Sequence, residues 1–383
     1  MSLTTRFLSA LEGLDHGRLS LRLPDGATHR FGAAGPEVDL EIRDWSVLPR
    51  LAARGDVGFG EAWIDGHWQS SSLEGLLTCA LRNADRLQGW VAPGRLANLR
   101  MAVMDRVLRR NSLRGASRNI RAHYDVGNEF YQLWLDRGMT YSSALFAEGD
   151  DLERAQARKN ARILSRLAPG ESVLEIGCGW GGFAEAAAEQ GRRVTGLTLS
   201  PAQKGYADAR LDGRAEIRLQ DYRAVTGRFS NIVSIEMIEA VGERYWPAYF
   251  ATLKARLAPG GRAVLQAITV PDAEFSLYRR RSDFIRQHIF PGGMLPCNAV
   301  MAREAARAGL ALGNSFSFGD DYARTCRIWR DRMLAEAPRV RRLGYGERFL
   351  RGWQFYLDGC AATFATGRTD VVQLELTHAA GMA

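Results

Sequence analysis

The sequence has few cysteines and no long hydrophobic run. Its five cysteines are scattered and form no CxxC pair, so neither a disulfide framework nor a zinc site is predicted, and no metal ligands are assigned. No apolar run approaches the roughly 20 residues that a membrane-spanning helix requires. The amino terminus lacks the long apolar stretch and small-residue cleavage site of a secretory signal. These absences predict a cytoplasmic chain with reduced thiols.

The sequence also lacks any recognisable nucleic-acid-binding motif, although it is basic. Its formal net charge is +8 at pH 7. A basic protein favours an anionic partner, either nucleic acid or acidic lipid headgroups. Because no nucleic-acid motif accompanies the charge, we predict that the partner is a membrane surface.

The first 110 residues are predicted to form a small α+β domain. A hairpin is expected over 19–31, a strand over 38–42, and short helices over 45–54 and 73–81. The glycine- and aromatic-rich segment 55–68 is predicted to be a packed loop. Residues 87–110 form a basic, partly amphipathic segment that could lie on an anionic membrane or serve as a solvated connector. Residues 111–119 are predicted to be a linker.

Residues 111–383 are predicted to form an α/β domain with a doubly wound, Rossmann-like sheet, because strand and helix patterns alternate. Five strands are expected at Ser172–Ile176, Arg193–Leu199, Ala215–Gln220, Asn231–Ile235 and Arg262–Ile268. Helices are expected at about 181–190, 201–210 and 244–257, and further strands at 312–318 and 371–378. A turn is predicted at 259–261. An insertion (about 271–296) and a helical segment (about 320–365) complete this domain.

A glycine-rich turn follows the first of these strands. The segment GCGWGG, residues 177–182, satisfies the dinucleotide fingerprint G-x-G-x-x-G. A nicotinamide site would also need a carboxylate at the end of the second strand, but Thr198, Leu199 and Ser200 stand there. Glu175 precedes the turn, giving E-x-G-x-G-x-G, which is similar to the signature of S-adenosylmethionine-dependent methyltransferases. At this point a methyltransferase turn, a dinucleotide site and an unoccupied packing turn all stay open.

Several motifs make the interpretation more specific. They are HYDVGNEFYQLWLD at 123–136, TYSSALF at 140–146, LEIGCGWGGFA at 174–184, GLTLSPAQ at 196–203, QDYR at 220–223, EMIEAVG at 236–242 and FIRQHIFPGGMLP at 284–296. Together they resemble the cyclopropane-fatty-acyl-phospholipid synthase family, which includes mycolic-acid-modifying enzymes. GDVGFGEAWIDGHW at 55–68 extends the resemblance into the first domain. The resemblance implies a class I methyltransferase fold and S-adenosylmethionine as cofactor.

The resemblance also implies a set of cofactor-binding positions. Tyr141 and Ser142 are expected at the methionine end, and Asp221 and Tyr222 beside the adenine. The full set is Tyr141, Ser142, Glu175, Gly177, Gly179, Thr198, Leu199, Gln203, Asp221 and Tyr222.

The resemblance also implies that the reaction pocket holds a bicarbonate ion, which accepts a proton. Three of the implied positions are retained as Glu239, Ile268 and Tyr322. Ser143 replaces the usual Cys, and Gln266 replaces the usual His. Neither replacement carries charge near neutral pH or relays a proton as imidazole does. We therefore predict weaker bicarbonate retention, with more of the proton handling by Glu239 or water.

The resemblance implies methyl transfer to the double bond of unsaturated fatty acyl chains of membrane phospholipids. The product is either a cyclopropane or a methyl-branched unsaturated chain. The alternatives are methylation of another small lipid or metabolite, and a catalytically silent partner that binds the cofactor. Basic segments at 95–110 and 279–281 are expected to recruit the protein to the inner membrane surface, and a homodimer is left open.

Overall fold

The computed structural model describes residues 1–87, 90 and 126–380. The predicted basic segment 95–110 and the predicted linker 111–119 lie outside these residues, as does the start of the motif at 123–136. None of the described helices is both long enough and apolar enough to cross a membrane.

The described residues form eleven β-strands and fifteen α-helices. The strands are β1 (Arg18–Arg22), β2 (Thr28–Phe31), β3 (Glu37–Ile42), β4 (Trp68–Gln69), β5 (Ser172–Ile176), β6 (Arg193–Thr198), β7 (Glu216–Leu219), β8 (Phe229–Ile235), β9 (Leu257–Thr269), β10 (Leu310–Ser317) and β11 (Asp370–His378). The helices are α1 (Leu3–Leu11), α2 (Val47–Ile64), α3 (Leu73–Arg82), α4 (Asn128–Gln132), α5 (Leu152–Ser165), α6 (Gly182–Glu189), α7 (Pro201–Leu211), α8 (Ile238–Val241), α9 (Trp246–Arg256), α10 (Asp272–Tyr278), α11 (Phe284–His288), α12 (Asn298–Arg307), α13 (Gly319–Ala335), α14 (Ala337–Arg342) and α15 (Glu347–Ala365).

These elements form two compact units. Of the described residues, the first unit contains 1–87, 90, 277–289 and 326–368, and the second contains 126–276, 290–325 and 369–380. The division differs from the expected one, which placed the insertion and the helical segment wholly in the second domain. Helices α11, α14 and α15 group with the first unit because α15 packs on α2 and α3, and α11 on α2.

The first unit contains a four-stranded sheet in the order β2-β1-β3-β4. The predicted hairpin is present as the antiparallel pair of β1 and β2. The prediction of a packed loop over 55–68 is wrong, because α2 runs on to Ile64. Gly55 adopts φ 58° and ψ −136° inside it, so a left-handed glycine kinks the helix where the sequence suggested its end.

The second unit is built on a seven-stranded sheet in the order β10-β11-β9-β8-β5-β6-β7. Strands β5 to β9 pair in parallel, whereas β11 runs antiparallel to both β9 and β10. The predicted doubly wound class is confirmed. The predicted turn at 259–261 instead lies within β9, which begins at Leu257.

The strand order reverses between β5 and β8. The chain leaves β5 for β6 on one side and later returns to β8 on the other. Ligands of doubly wound folds bind at such a switch point, beyond the carboxyl ends of the strands. The Gly177 turn follows β5 and the EMIEAVG motif follows β8, so both motifs lie at this edge. An apolar cluster that includes Val173, Phe183 and Val233, all at most 4% exposed, fixes their backbone.

Candidate active site

The glycine turn after β5 leaves open space above its backbone. Gly177 and Gly179 have φ of 83° and 52°, a region that favours glycine. A Cβ atom on Gly179 would meet no atom within 4 Å, whereas one on Gly177 would lie 2.8 Å from Met237 Cγ. Gly179 therefore borders a space in which a ligand can approach the main chain closely.

The neighbouring strand end presents a polar cluster. Thr198 Oγ1 donates to Gln203 Oε1 at 2.8 Å, and accepts from Ser200 N at 3.1 Å. Ser200 caps α7 by accepting from Gln203 N. Leu199, between them, is only partly buried. The structure thus brings the three predicted positions 198, 199 and 203 together at the end of β6.

Asp221 and Tyr222 follow β7. Asp221 accepts from the Arg223 guanidinium at 2.8 and 2.7 Å, so its carboxylate is already neutralised by an ion pair. The Tyr222 hydroxyl is buried and has no hydrogen-bond partner within the described part of the chain. Burial raises the pKa of Tyr222 to about 12, which keeps this hydroxyl neutral and able to donate.

The segment that contains Tyr141 and Ser142 is held by α5. Gln156 Nε2 donates to the Ser142 carbonyl at 2.8 Å, and Lys159 Nζ donates to Ser142 Oγ at 3.0 Å. An ammonium group can only donate, so Ser142 Oγ accepts there and its own hydrogen is directed to another group. The Tyr141 ring lies 5.5 Å from that of Tyr131.

Glu175 is almost completely buried at 2% exposure. Its Oε2 atom has no hydrogen-bond partner among the described residues. Burial raises its pKa to about 8, against the lowering effect of the Lys159 charge. The open glycine turn and the unpaired polar atoms of Glu175 and Tyr222 fit a polar, nucleoside-containing cofactor such as S-adenosylmethionine.

The reaction-pocket positions converge on Glu236, a residue that is absent from the set expected from the sequence. Tyr322 donates its hydroxyl to Glu236 Oε2 at 2.6 Å. The Ser143 backbone N–H and Gln266 Nε2 donate to Oε1 at 2.9 and 2.7 Å. The Ser143 hydroxyl donates instead to the Ala144 carbonyl. Three of the five positions expected around a bicarbonate ion therefore surround a carboxylate of the protein itself.

Glu236 also has an unusual backbone. Its φ is 49°, in the left-handed region that a glutamate rarely occupies, and such outliers concentrate at functional sites. The backbone N–H of Glu236 donates to the Gln266 carbonyl at 2.8 Å. The available sequence signal was an acidic residue directly after the apolar strand β8, at the carboxyl edge of the sheet.

Glu239 and Ile268 pair with each other beside this cluster. The Ile268 N–H donates to Glu239 Oε1, while Glu239 Oε2 has no partner among the described residues. Burial and, to a smaller extent, the neighbouring charge of Glu236 raise the pKa of Glu239 to about 8. Glu239 is therefore a neutral acid at pH 7.

The two carboxyl groups are placed in different environments. Burial raises the pKa of Glu236 above its usual value, although hydrogen bonds from Tyr322, Gln266 and Ser143 and the charge of Lys159 oppose this shift. Glu236 has three donors and a nearby cation, but Glu239 has one donor and a neighbouring anion. Paired groups pushed apart in this way divide into a base and an acid, and these contacts favour the ionised form at Glu236 more than at Glu239. No cluster suited to a metal ion occurs in the parts of the chain that are described.

The chain is similar to known proteins over most of its length. The model of the family "Mycolic acid cyclopropane synthetase" matches residues 111–374. The chain is 37% identical over 380 residues to tuberculostearic acid methyltransferase UfaA1 of Mycobacterium tuberculosis, covering 94% of this chain and 88% of that relative. It is 33% identical over 330 residues to the cyclopropane-fatty-acyl-phospholipid synthase of Escherichia coli K12, covering 85% of this chain and 84% of the relative.

A solved structure is similar as well. The cyclopropane synthase MmaA2 from Mycobacterium tuberculosis superposes with a TM-score of 0.64 at 30% identity, covering 68% of this chain and 97% of that chain. The fold, the glycine turn and these relatives agree on the reaction class. The chain belongs to the mycolic acid cyclopropane synthetase family of S-adenosylmethionine-dependent methyltransferases.

Proposed function

We propose that the protein methylates the double bond of unsaturated fatty acyl chains of phospholipids and releases a methyl-branched unsaturated chain. The observation that carries this proposal is the placement of Glu236 among donors from Tyr322, Ser143 and Gln266. The carboxylate of Glu236 takes the place that the family resemblance assigned to bicarbonate. The group that accepts the proton is then a residue of the protein and not a bound bicarbonate ion.

The cofactor would be held along the carboxyl edge of β5, β6 and β7. The cofactor would approach the main chain at Gly177 and Gly179. Its ribose and methionine region would lie beside Thr198, Leu199 and Gln203. Its adenine would lie beside Asp221 and Tyr222. The Ser142 hydroxyl, oriented by Lys159, can donate to its carboxylate at the methionine end. Glu175 provides a buried carboxyl group with an unpaired oxygen among the described residues. S-adenosylmethionine supplies an electrophilic methyl group when bound.

The pocket residues then stabilise the positive charge that forms on the acyl chain and remove a proton from it. The π electrons of the double bond would form the new bond to the methyl carbon as the methyl–sulfur bond of the cofactor breaks, so that S-adenosylhomocysteine would leave and a cation would remain on the neighbouring carbon. The Glu236 carboxylate stabilises this cation electrostatically, and such stabilisation is worth about 3 kcal/mol in a dry site. Glu236 then accepts a proton from a carbon next to the cation, and the released electron pair forms a new double bond. Tyr322, Ser143 and Gln266 hold the carboxylate in place, and neutral Glu239 adds no second charge.

A branched product is favoured over a ring by two considerations. Gln266 and Ser143 hydrogen-bond to protein groups, so they hold Glu236 where the family holds an exchangeable ion. In addition, the relative with 37% identity is named for tuberculostearic acid, a methyl-branched fatty acid. A fixed base selects which carbon loses its proton by position alone.

Feeding methyl-deuterated methionine to cells that express the protein should yield phospholipid acyl chains that carry one extra, labelled carbon. We expect mild catalytic hydrogenation to raise their mass by two hydrogens, because the product keeps a double bond. Retention of three deuterium atoms would place the lost proton on the original chain, and retention of two would place it on the new methyl group. Mass spectrometry before and after hydrogenation gives both results.

Cells that carry Glu236→Gln are the matched control for this experiment. A labelled product that keeps two deuterium atoms and does not take up hydrogen would be a cyclopropane, and would contradict the branched product. Absence of any labelled lipid, with S-adenosylmethionine binding intact, would contradict the lipid substrate.

We also propose that the protein acts at the cytoplasmic membrane surface as a peripheral protein. Arg279, Arg280 and Arg281 are exposed and follow Leu277, which is 44% exposed. An exposed apolar side chain beside a basic cluster suits an interface with anionic headgroups. The net charge of +8 acts in the same direction.

Reversing the charge at Arg279, Arg280 and Arg281 together should weaken binding to vesicles that contain anionic lipid. Each basic group near such a surface contributes about 1 kcal/mol, so we expect a loss of at least about tenfold, and weaker binding at higher salt. Vesicle co-sedimentation measures both. The matched control reverses Arg18, Arg30 and Arg193, which are exposed elsewhere; equal losses from both sets would contradict a local membrane-binding surface.

A further inference from the structure

A chain of three hydrogen bonds connects helix α5 to Glu236. Arg162 Nη1 donates to Gln373 Oε1 at 2.7 Å. Gln373 Nε2 donates to Gln266 Oε1 at 2.9 Å, and Gln266 Nε2 donates to Glu236 Oε1 at 2.7 Å. Gln266 and Gln373 lie directly opposite each other in the register of β9 and β11. The family function does not explain Arg162 or Gln373.

The direction of this series of hydrogen bonds is set by its first donor, Arg162. A guanidinium has only donors, so Gln373 must present its carbonyl oxygen to Arg162. The Gln373 amide nitrogen then faces Gln266, which must turn its oxygen toward Gln373 and its nitrogen toward Glu236. Each amide orientation follows from the previous one. The last donor in the chain therefore meets the carboxylate of Glu236.

Burial makes the orientation hard to reverse. Gln266 is 1% exposed and Gln373 is 2% exposed, so water cannot replace a lost partner without rearrangement. Arg162 is held at the partly exposed end, with its guanidinium carbon 4.0 Å from the Phe316 ring centroid. A flipped Gln266 amide would place its oxygen against the Glu236 carboxylate.

We propose that Arg162 and Gln373 are positioning residues that fix the Gln266 amide with its nitrogen toward Glu236 and thereby keep that carboxylate ionised. The proposal rests on the proposed function, in which Glu236 must be ionised to accept a proton. Other charges also act on this region. Lys159 and Glu239 interact with Glu236, and Arg166 and Glu375 interact with Arg162.

The substitution Gln373→Glu tests the proposal by reversing the direction of these hydrogen bonds. A carboxylate at 373 has only acceptors, so both Arg162 and Gln266 must donate to it, and Gln266 then turns its oxygen toward Glu236. We expect the apparent pKa of Glu236 to rise by about one unit, as expected for a lost donor and a new repulsive contact. Infrared titration of the carboxylate band, assigned by its disappearance in Glu236→Gln, measures this shift directly. Because the base must be ionised, the acid limb of the methyl-transfer rate should move to higher pH by the same amount.

Three further variants separate positioning from folding. Gln190→Glu makes the same chemical change at an exposed residue and should leave both titrations unchanged. Arg162→Met removes the first donor and should shift the titration in the same direction as Gln373→Glu, whereas Arg162→Lys keeps a donor and should restore it. The dissociation constant for S-adenosylmethionine should stay unchanged in all of them. If Gln373→Glu does not fold, the titration of Arg162→Met tests the proposal instead.

The outcomes distinguish this proposal from the proposed function. An unchanged Glu236 titration in folded Gln373→Glu, or in folded Arg162→Met, overturns the positioning role while leaving methyl transfer in place. A shifted titration in a protein that methylates no lipid supports the positioning role and contradicts the proposed function.

Discussion

Glu236→Gln is expected to reduce methyl-transfer turnover by about 100- to 10,000-fold, the range for loss of a general base. The amide keeps the size of the side chain and can still accept from Ser143 and Gln266, so the fold should persist. It lacks the negative charge that stabilises the cation, and it cannot take up the proton. Single-turnover kinetics with labelled S-adenosylmethionine measure the effect, and calorimetry should show cofactor affinity changed by less than about threefold.

Glu239→Gln is the matched control for this change. The pKa of Glu239 is raised to about 8, so at pH 7 the substitution exchanges one neutral group for another of similar shape. We expect a much smaller loss than for Glu236→Gln. The opposite ranking would contradict the assignment of Glu236 as the base and would support Glu239, which the sequence predicted to share proton handling with water.

Gly179→Leu is expected to abolish S-adenosylmethionine binding, with a rise in dissociation constant of at least about 100-fold. A Cβ at position 179 would point into space that no protein atom occupies within 4 Å, so a leucine would fill the volume proposed for the cofactor. Isothermal titration calorimetry measures the loss.

Gly191→Leu is the control for the strain that a leucine causes at a left-handed backbone position. Gly191 also has a left-handed φ, 75°, and its added Cβ would also meet nothing within 4 Å. It lies in the turn before β6, at the amino end of that strand. Both variants carry the same strain of about 1 to 2 kcal/mol, so similar melting temperatures with binding lost only in Gly179→Leu would support the site. Loss of binding in both would point to destabilisation instead.

Much of the second unit was predictable because its signals are local. A short apolar run followed by glycines and a helix-forming segment specifies a strand, a turn and a helix within about fifteen residues, and Ser172–Glu189 contains all three as predicted. The first unit was less predictable at α2. Gly55 resembles a helix end in the sequence, but packing carries the helix past it.

The sequence by itself determined the fold class and the glycine turn, because residues close in the chain and their periodicity establish these features, and its resemblance to a known family implied the cofactor type. The tertiary structure alone decided which acid is held as the base. Ser143, Tyr322 and Gln266 are separated from Glu236 by 93, 86 and 30 residues, and no local pattern indicates whether they meet Glu236 or Glu239, which stand three residues apart. The left-handed backbone at Glu236 and the sheet that places Gln373 opposite Gln266 set that choice, because hydrogen-bond donors act through space and reach only the carboxylate that the folded chain brings to them.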